Sequence, residues 1–288
     1  MYRVILTYLL CGAVLSACSP PQLSSRMTGI LPDGPHYWQG EVQIVGDVEI
    51  PPRAQVFVSP GTKLLFMPAG ATDRFNEHPH FPGSELIVRG RLVAEGTPSA
   101  PIEFRAVDPT APPGSWGGLN LMASPGSRFT YCLFTQADSA IHSQESQVVV
   151  KESIFDNNLV GIRFHSSNIL IEHNRLIGNG AAIRFHFGAP VIRNNLFEGN
   201  RKGLFITSSP RNYLIRGNLF RNNRPYNVVL GESIDSNVDL SGNSWAGYAQ
   251  DDFLESFFDH RRDPALGQVL VDPVGASLEA AAGSSWSR

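Results

Sequence analysis

The chain has 288 residues, of which 42% are hydrophobic and 17% are charged, and its formal net charge is −3. This composition can bury a core, which excludes wholesale disorder, and the charge argues against a general nucleic-acid-binding protein, which needs a basic surface. Three cysteines are too few to staple a disulfide scaffold of this size.

The first segment has the pattern of an export signal. An apolar run from Val4 to Ala17 follows Arg3, and it is too short to span a bilayer but suits the core of a signal peptide. The run leads into the letters LSAC at 15–18, which resemble the lipobox of bacterial lipoproteins. Ordinary secretion with a chance cysteine is the alternative interpretation.

The lipobox resemblance has consequences for location. It implies that residues 1–17 are a signal peptide and that Cys18 carries lipid, which would anchor the protein in a membrane. Ser19 then implies sorting to the outer membrane of a Gram-negative cell, on either its periplasmic or its surface face. Residues 18–37 are rich in Pro, Ser and Gly and are predicted to be a tether.

The middle of the chain repeats itself. The segments SIFDNN, RLIGNG, NLFEGN and NLFRNN share one pattern, and their second residues are 22, 20 and 23 positions apart. Each repeat holds three short runs of alternating apolar residues, which is the pattern of strands. Three strands in about 22 residues leave no room for a crossover helix, so we expect a coil whose turns stack as parallel sheets.

This pattern resembles the right-handed parallel β-helix family, also described as the PbH1-repeat or pectate-lyase-like superfamily. The earlier strings VSPGTKLLF, SELIVRGRLVAEGTPSAPIEFRA and SWGGLNL resemble the opening coils of exported members that have no assigned reaction. We therefore expect an all-β chain that forms a right-handed parallel β-helix solenoid over residues 38–272. Loops are predicted at 67–84 and 106–116, and Trp116 is expected in the core, with a sugar-stacking platform as the alternative.

Asparagines recur at two turns of every repeat. Asn tolerates left-handed backbone and bonds to nearby main chain, so stacked asparagines are predicted to form ladders along the coil. The asparagines of these two turns are Asn157, Asn158, Asn179, Asn200, Asn222 and Asn223, then Asn174, Asn194, Asn195, Asn218 and Asn243.

The C-terminal region departs from the repeat. Phe253, Leu254, Phe257 and Phe258 have helical spacing, which predicts a short capping helix from about residue 249. A solenoid needs its open end covered, so this helix is expected to close the last coil. Residues 273–288 are rich in small residues and are predicted to be disordered.

Strand alternation predicts a surface rich in cations. An uncompensated basic column on a flat sheet suits a polyanion such as an acidic polysaccharide, because arginine binds carboxylates and phosphates in bidentate fashion. The alternatives are a solvated face without a ligand, or a catalytic role. The candidate ligand-binding residues are Arg163, His165, Arg184, His186, Arg193 and Arg216.

The sequence also bears on metal binding and on catalysis. The loop at 67–84 holds Asp73, Glu77, His78 and His80, which can ligate zinc or copper, although an exposed polar loop is the alternative. Acids in the repeats are sparse and do not form the carboxylate set of a lyase or hydrolase, so no catalytic residue is assigned.

These observations predict a non-catalytic binding or scaffold module at the cell envelope. Its expected partners are the membrane, through the lipid, and either an acidic polysaccharide or an envelope protein; nucleic acid and cofactors are not expected. The alternatives are a polysaccharide lyase, hydrolase or epimerase, and a periplasmic metal-handling or assembly factor.

Overall fold

The computed structural model describes residues 25–68, 70, 83–248, 250–272, 274 and 282–286. Strands numbered in chain order form three stacks, named sheets I, II and III. Sheet I holds β3 (Glu41–Ile50), β5 (Lys63–Phe66), β8 (Ile102–Ala106), β11 (Cys132–Thr135), β14 (Ile154–Asp156), β17 (Arg175–Ile177), β20 (Leu196–Glu198), β23 (Leu219–Arg221) and β26 (Ser244–Ala246).

Sheet II takes the second half of β3 and then β6 (Glu85–Val88), β9 (Trp116–Met122), β12 (Ala137–Gln144), β15 (Val160–His165), β18 (Ala181–His186), β21 (Lys202–Ile206), β24 (Tyr226–Leu230) and β27 (Phe257–Phe258). Sheet III holds β2 (Gly34–Trp38), β4 (Ala54–Val58), β7 (Arg91–Glu95), β10 (Pro125–Thr130), β13 (Gln147–Lys151), β16 (Asn168–Glu172), β19 (Val191–Arg193) and β22 (Leu214–Arg216). The remaining strands are β1 (Ser25–Ile30), paired with β3, and β25 (Val238–Asp239), paired with β28 (Val269–Leu270).

The chain visits the three sheets in turn and then returns one coil further on. In the central coils β14, β15 and β16 lie in sheets I, II and III, and β17 comes back to pair with β14. That pairing is parallel and joins Ile154 to Arg175, which are 21 residues apart. The predicted all-β, right-handed parallel β-helix is therefore confirmed.

The inside of the coil is filled by side chains stacked along its axis. On sheet I, Phe134 stacks on Phe155 with ring centroids 4.6 Å apart, and Phe197 stacks on Phe220 at 4.5 Å. Trp116 is fully buried, lies 3.9 Å from the ring of Phe66, and donates its Nε1 hydrogen to the carbonyl of Thr135. Its predicted place in the core is confirmed.

Two asparagine ladders run along the turns, as predicted. In the ladder between sheets I and II, the amide nitrogen and Nδ2 of Asn179 both donate to Oδ1 of Asn200, at 2.9 and 3.0 Å. Asn157 and Asn222 stand beside this ladder with φ of 58° and 55°, in the left-handed backbone expected of asparagine. The ladder residues are Asn158, Asn179, Asn200 and Asn223, and in the second turn Asn174, Asn195, Asn218 and Asn243.

Both ends of the solenoid differ from the sequence-based prediction. The tether expected over 18–37 is wrong from Ser25 onward, because 25–30 and 34–38 supply β1 and β2 and add a coil. These segments pair with β3 and β4, but their less exposed residues include Gly29, Gly34 and His36, so the sequence shows no apolar alternation there. Residues 1–17 and Cys18 lie outside the described residues.

The predicted C-terminal helix is also wrong in kind. Residues Gln250–Ser256 form a short 3₁₀ helix, and Phe257 and Phe258 then continue sheet II as β27. Phe253 and Phe257 are buried, and Phe253 stacks on Trp245 of the last sheet I strand with ring centroids 5.7 Å apart. The aromatic stripe therefore covers the open end by stacking and strand pairing. None of the described helices is long and apolar enough to cross a membrane.

Candidate functional site

A column of polar side chains follows one outward-facing position of sheet II. Parallel register pairs His142 of β12 with Arg163 of β15, Arg163 with Arg184 of β18, and Arg184 with Phe205 of β21. Alternation sends the neighbours Ile162 and Phe164 into the core, where both are buried. The predicted stacking of Arg163 on Arg184 is therefore present, about one strand spacing apart.

Two histidines extend this face beside the arginines. His165 and His186 are paired in register, and their rings stack with centroids 5.3 Å apart and an interplanar angle of 14°. Phe187, which is 47% exposed, meets both rings edge to face. Nδ1 of His186 lies 3.2 Å from Oγ1 of Thr207. The sequence placed both histidines on the correct face.

Phe205 adds an aromatic surface with a cationic rim. The guanidinium carbon of Arg184 lies 5.0 Å from the centroid of its ring, and Nζ of Lys202 lies 4.5 Å from it. The attraction between a cation and the face of an aromatic ring contributes about 0.5–1 kcal/mol at exposed sites. Lys202 thus joins the basic column, which the sequence analysis missed because this lysine begins its strand and sits outside the Arg-x-His pattern.

The six predicted ligand-binding residues do not form one site. Arg193 and Arg216 lie on sheet III, on a different face of the coil from Arg163 and Arg184. Arg193 is paired with Glu172 at 2.5 Å, and Lys151 contacts the same carboxylate at 2.9 Å. Burial alone would raise the pKa of Glu172, but hydrogen bonds and charge from Lys151 and Arg193 lower it. Sheet III is therefore a largely compensated surface.

A buried carboxyl group stands at the head of the sheet II column. Glu85 of β6 is 1% exposed, and Nδ2 of Asn120 donates to its Oε2. Oδ1 of Asn120 lies 2.7 Å from Nδ1 of His142. Because the amide oxygen can only accept, His142 carries a proton on Nδ1. Glu85, Asn120 and His142 thus form one hydrogen-bonded chain leading to Arg163.

The electrostatics of this end of the column are unusual. Burial raises the pKa of Glu85 to about 8, the charge of Asp47 adds to the effect, and the Asn120 hydrogen bond opposes it. Burial also raises the pKa of Asp138, against the opposing effects of Ser139 and Arg163. Groups whose pKa values are raised by burial and neighbouring charges often mark functional sites.

Arg163 experiences the opposite balance. Burial has the largest effect and lowers the pKa of Arg163. The positive charge of Arg184 lowers this pKa further, whereas the negative charge of Asp138 raises it. Asp138 therefore compensates part of the column, which the sequence-based prediction of an uncompensated column did not include. Asp138 stands just before the alternating run that was recognised in β12.

Gly117 makes room for the Glu85 side chain. A Cβ at this position would lie 2.3 Å from Cγ and 2.7 Å from Oε1 of Glu85, so any other residue would push the carboxyl group away. The sequence analysis missed Glu85, Asn120 and Asp47 because the first coils repeat irregularly and long loops separate their strands. Gly117, next to Trp116 at the start of β9, was the one signal in the sequence that a side chain from a neighbouring strand packs against this backbone.

The predicted metal ligands Asp73, Glu77, His78 and His80 lie outside the described residues and stay a prediction. Within the part of the chain that the structure describes, no three His, Cys, Asp or Glu residues come close enough to hold a metal ion. The one cysteine in that part, Cys132, is buried, and burial raises the pKa of its thiol.

Comparison with known proteins gives one family match. Residues 114–220 match the model of the right-handed β-helix region, which covers the regular coils from β9 to β23. No curated protein and no solved structure matches the chain. The match agrees with the coil geometry, and it includes His142, Arg163, Arg184 and Phe205 but not Glu85.

Proposed function

We propose that this protein is a binding or scaffold module of the cell envelope that holds an acidic polysaccharide along sheet II. The observation that carries the proposal is the register that stacks Arg163 on Arg184. Like charges paired across neighbouring strands are mildly destabilising, and Asp138 offsets only part of the positive charge of this column. A polyanion laid along the coil offsets that repulsion.

The surroundings of the column suit a sugar chain. Arg163, Arg184 and Lys202 supply positive charge along three successive coils, and Phe205 and Phe187 offer exposed or half-buried rings beside them. Arginine can bind a carboxylate with two parallel hydrogen bonds, while aromatic rings pack against the apolar faces of sugars. An acidic polysaccharide combines both kinds of surface, which favours it over a protein partner.

The proposed location follows from the N-terminal signal. A lipid on Cys18 would tether the β-helix to the outer membrane, on either face, within reach of envelope polysaccharides. The metal-handling or assembly role remains an alternative that depends on Asp73, Glu77, His78 and His80.

The proposal is tested by screening envelope polysaccharides and a glycan array for binding, with product release read in parallel. We expect binding of acidic glycans without turnover. Replacing Arg163 and Arg184 by alanine should lower the affinity at least tenfold, about 1.4 kcal/mol. No binding of any acidic glycan would contradict the proposal and would direct attention to a protein partner.

A second candidate function is favoured by Glu85. A carboxyl group with a pKa of about 8 is protonated at neutral pH, and it lies with Asp138 and His142 at the head of the basic column. A carboxyl group that keeps its proton at neutral pH can act as the general acid in the cleavage of a glycosidic bond. The second candidate is therefore an enzyme that acts on the bound acidic polysaccharide.

Turnover in the same screen separates the two candidates. If the protein is an enzyme, Glu85→Gln should abolish product release while leaving binding within about twofold, because Gln keeps the shape and the neutral state of the side chain. Product release that survives Glu85→Gln would remove Glu85 from any catalytic role.

A further inference from the structure

The C-terminal segment is not wholly free of the solenoid, contrary to the predicted disorder of 273–288. Residues 282–286, here called the strap, lie against the turns that lead from sheet III into sheet I. The main-chain nitrogen of Gly283 donates to the carbonyl of Asn194 at 2.9 Å. Further along, the main-chain nitrogen of Ser285 donates to Oε2 of Glu152 at 2.6 Å. The strap therefore crosses successive coils.

Trp286 closes the contact. Its Nε1 donates to the main-chain carbonyl of Glu152 at 2.5 Å, and its ring meets Tyr131 edge to face with centroids 6.4 Å apart. Glu152 thus accepts hydrogen bonds from two successive strap residues, one through its side chain and one through its main chain. This pairing resembles the recognition of a peptide by hydrogen bonds to its backbone and a pocket for one side chain.

The turn ridge that carries these contacts is regular. Tyr131, Glu152, His173 and Asn194 occupy the same turn position in four successive coils, and all have φ between 48° and 56°. Three coil steps amount to about 14 Å. Gly283 contacts Asn194 and Ser285 contacts Glu152 two coils earlier, so the strap follows the coil axis from later coils to earlier ones.

The seat of the strap is shaped for a small residue. Gly283 has φ of 98°, which disfavours other residues, and a Cβ there would come within 3.2 Å of Arg175 and 3.3 Å of Leu196. Leu196 belongs to an outward column of sheet I that is nonetheless buried: Leu133, Ile154, Leu196 and Leu219 are 3–7% exposed. This face of sheet I, with the Glu152 ridge, forms the groove.

One polar atom beside the strap lacks a hydrogen-bond partner in the described part of the chain. Nε of Arg175 is buried and has no hydrogen-bond acceptor among the residues that the structure describes. Burying a donor without an acceptor costs free energy, so the side chain beside Gly283 is not fully satisfied in its hydrogen bonding.

We propose that the groove between the Glu152 ridge and sheet I is a peptide-binding site for a short segment of small residues followed by tryptophan. The chain's own residues 282–286 fill it in cis. The groove lies on sheet I and the proposed polysaccharide column lies on sheet II. The two proposals are therefore independent, and a negative result for one does not affect the other.

The test uses the full chain and a fluorescently labelled peptide with the sequence of residues 282–288. Trp286→Ala releases the strap and leaves the groove intact, and Gly283→Val is a second releasing variant. The labelled peptide should bind both variants at least tenfold more tightly than the wild type, whose own strap competes at high effective concentration. A peptide with alanine in place of the tryptophan should not bind.

Glu152→Gln in the Trp286→Ala background should weaken peptide binding at least tenfold. The matched control is Glu145→Gln, which makes the same change at another turn glutamate with positive φ. Equal binding by wild type and released variants, no binding by either variant, or no effect of Glu152→Gln would overturn the proposal. A wild-type dimer that dissociates on Trp286→Ala would assign the strap to a second copy and overturn the cis arrangement.

Discussion

Arg163 on β15 lies directly beside Arg184 on β18 in the parallel register of sheet II. A second stacked arginine pair occurs on sheet III, but there Glu172 is bound to one of its members, Arg193. The two pairs have the same backbone setting and differ in their acidic neighbours. On sheet II the acidic neighbour of Arg163 is the half-buried Asp138, and burial raises the pKa of this carboxyl group.

The first prediction concerns the pH dependence of stability. Glu85 has a higher pKa in the folded protein than its ordinary value of 4.5, so its contribution is fully present below about 4.5 and is lost as the pH rises toward about 8. The free energy of unfolding should therefore fall in this window with a slope of up to about 1.4 kcal/mol per pH unit from this group. Urea denaturation across the window measures it.

Glu85→Gln is the control for that measurement. Glutamine cannot ionise, so the variant should lose most of this slope and become more stable than the wild type near pH ~8. Parallel stability curves for the two proteins would show that Glu85 ionises normally in the folded state.

A second prediction follows for ligand binding. When Glu85 ionises above pH ~8, it adds negative charge to the hydrogen-bonded chain that leads to Arg163, and a bound polyanion is repelled. The affinity for an acidic polysaccharide should therefore decrease as the pH rises through about 8. Titrations at several pH values check this, and the decrease should be smaller in Glu85→Gln. An unchanged decrease would point to another titrating group.

The third prediction tests the asparagine ladder. Asn179→Ala removes an acceptor shared by two donors of Asn158 and leaves the carbonyls of Phe155 and Ile177 without the Nδ2 donor. We expect a loss of about 2–4 kcal/mol in the free energy of unfolding.

The control for the ladder is Asn157→Gly, next to it but exposed and with φ of 58°. Glycine adopts this backbone readily, so the change should stay within about 1 kcal/mol. Similar losses in the two variants would mean that the ladder bonds contribute little net stability.

The fourth prediction concerns the C-terminal cap. Phe257→Ala removes a buried ring that contacts both Trp245 and Phe253, and should cost about 3–5 kcal/mol. Phe187→Ala, at a residue that is 47% exposed, should change the free energy of unfolding by less than about 0.5 kcal/mol. Denaturant unfolding measures the free energy of unfolding of both variants. A small effect of Phe257→Ala would show that the cap is dispensable.

The regular coils were predictable from sequence because one residue type repeats at one structural position. Leu176 and Phe197 hold the same place in successive coils, so a period near 21 reveals strands, faces and ladders together. The stacking of Arg163 on Arg184 followed from the same period. The nature of the cap did not, because Phe253 and Phe257 fit a helix as well as the observed 3₁₀ turn and strand.

The head of the column was hidden for a different reason. Glu85 and Asn120 lie next to each other in sheet II but are 35 residues apart in sequence, across the 106–116 loop. Neither periodicity nor local spacing connects such residues. The strap was equally hidden, since Ser285 and Glu152 are 133 positions apart and the tail has no strand pattern.

The most direct test of the account is the salt dependence of acidic-polysaccharide binding. The affinity of the wild type should fall with rising salt, because screening weakens the contacts of Arg163 and Arg184 with the polyanion. The Arg163→Ala/Arg184→Ala variant should bind at least tenfold more weakly and with a flatter dependence. The matched Arg193→Ala/Arg216→Ala variant, which removes the stacked pair of sheet III, should behave like the wild type. Equal losses in the two double variants would contradict a binding site on sheet II.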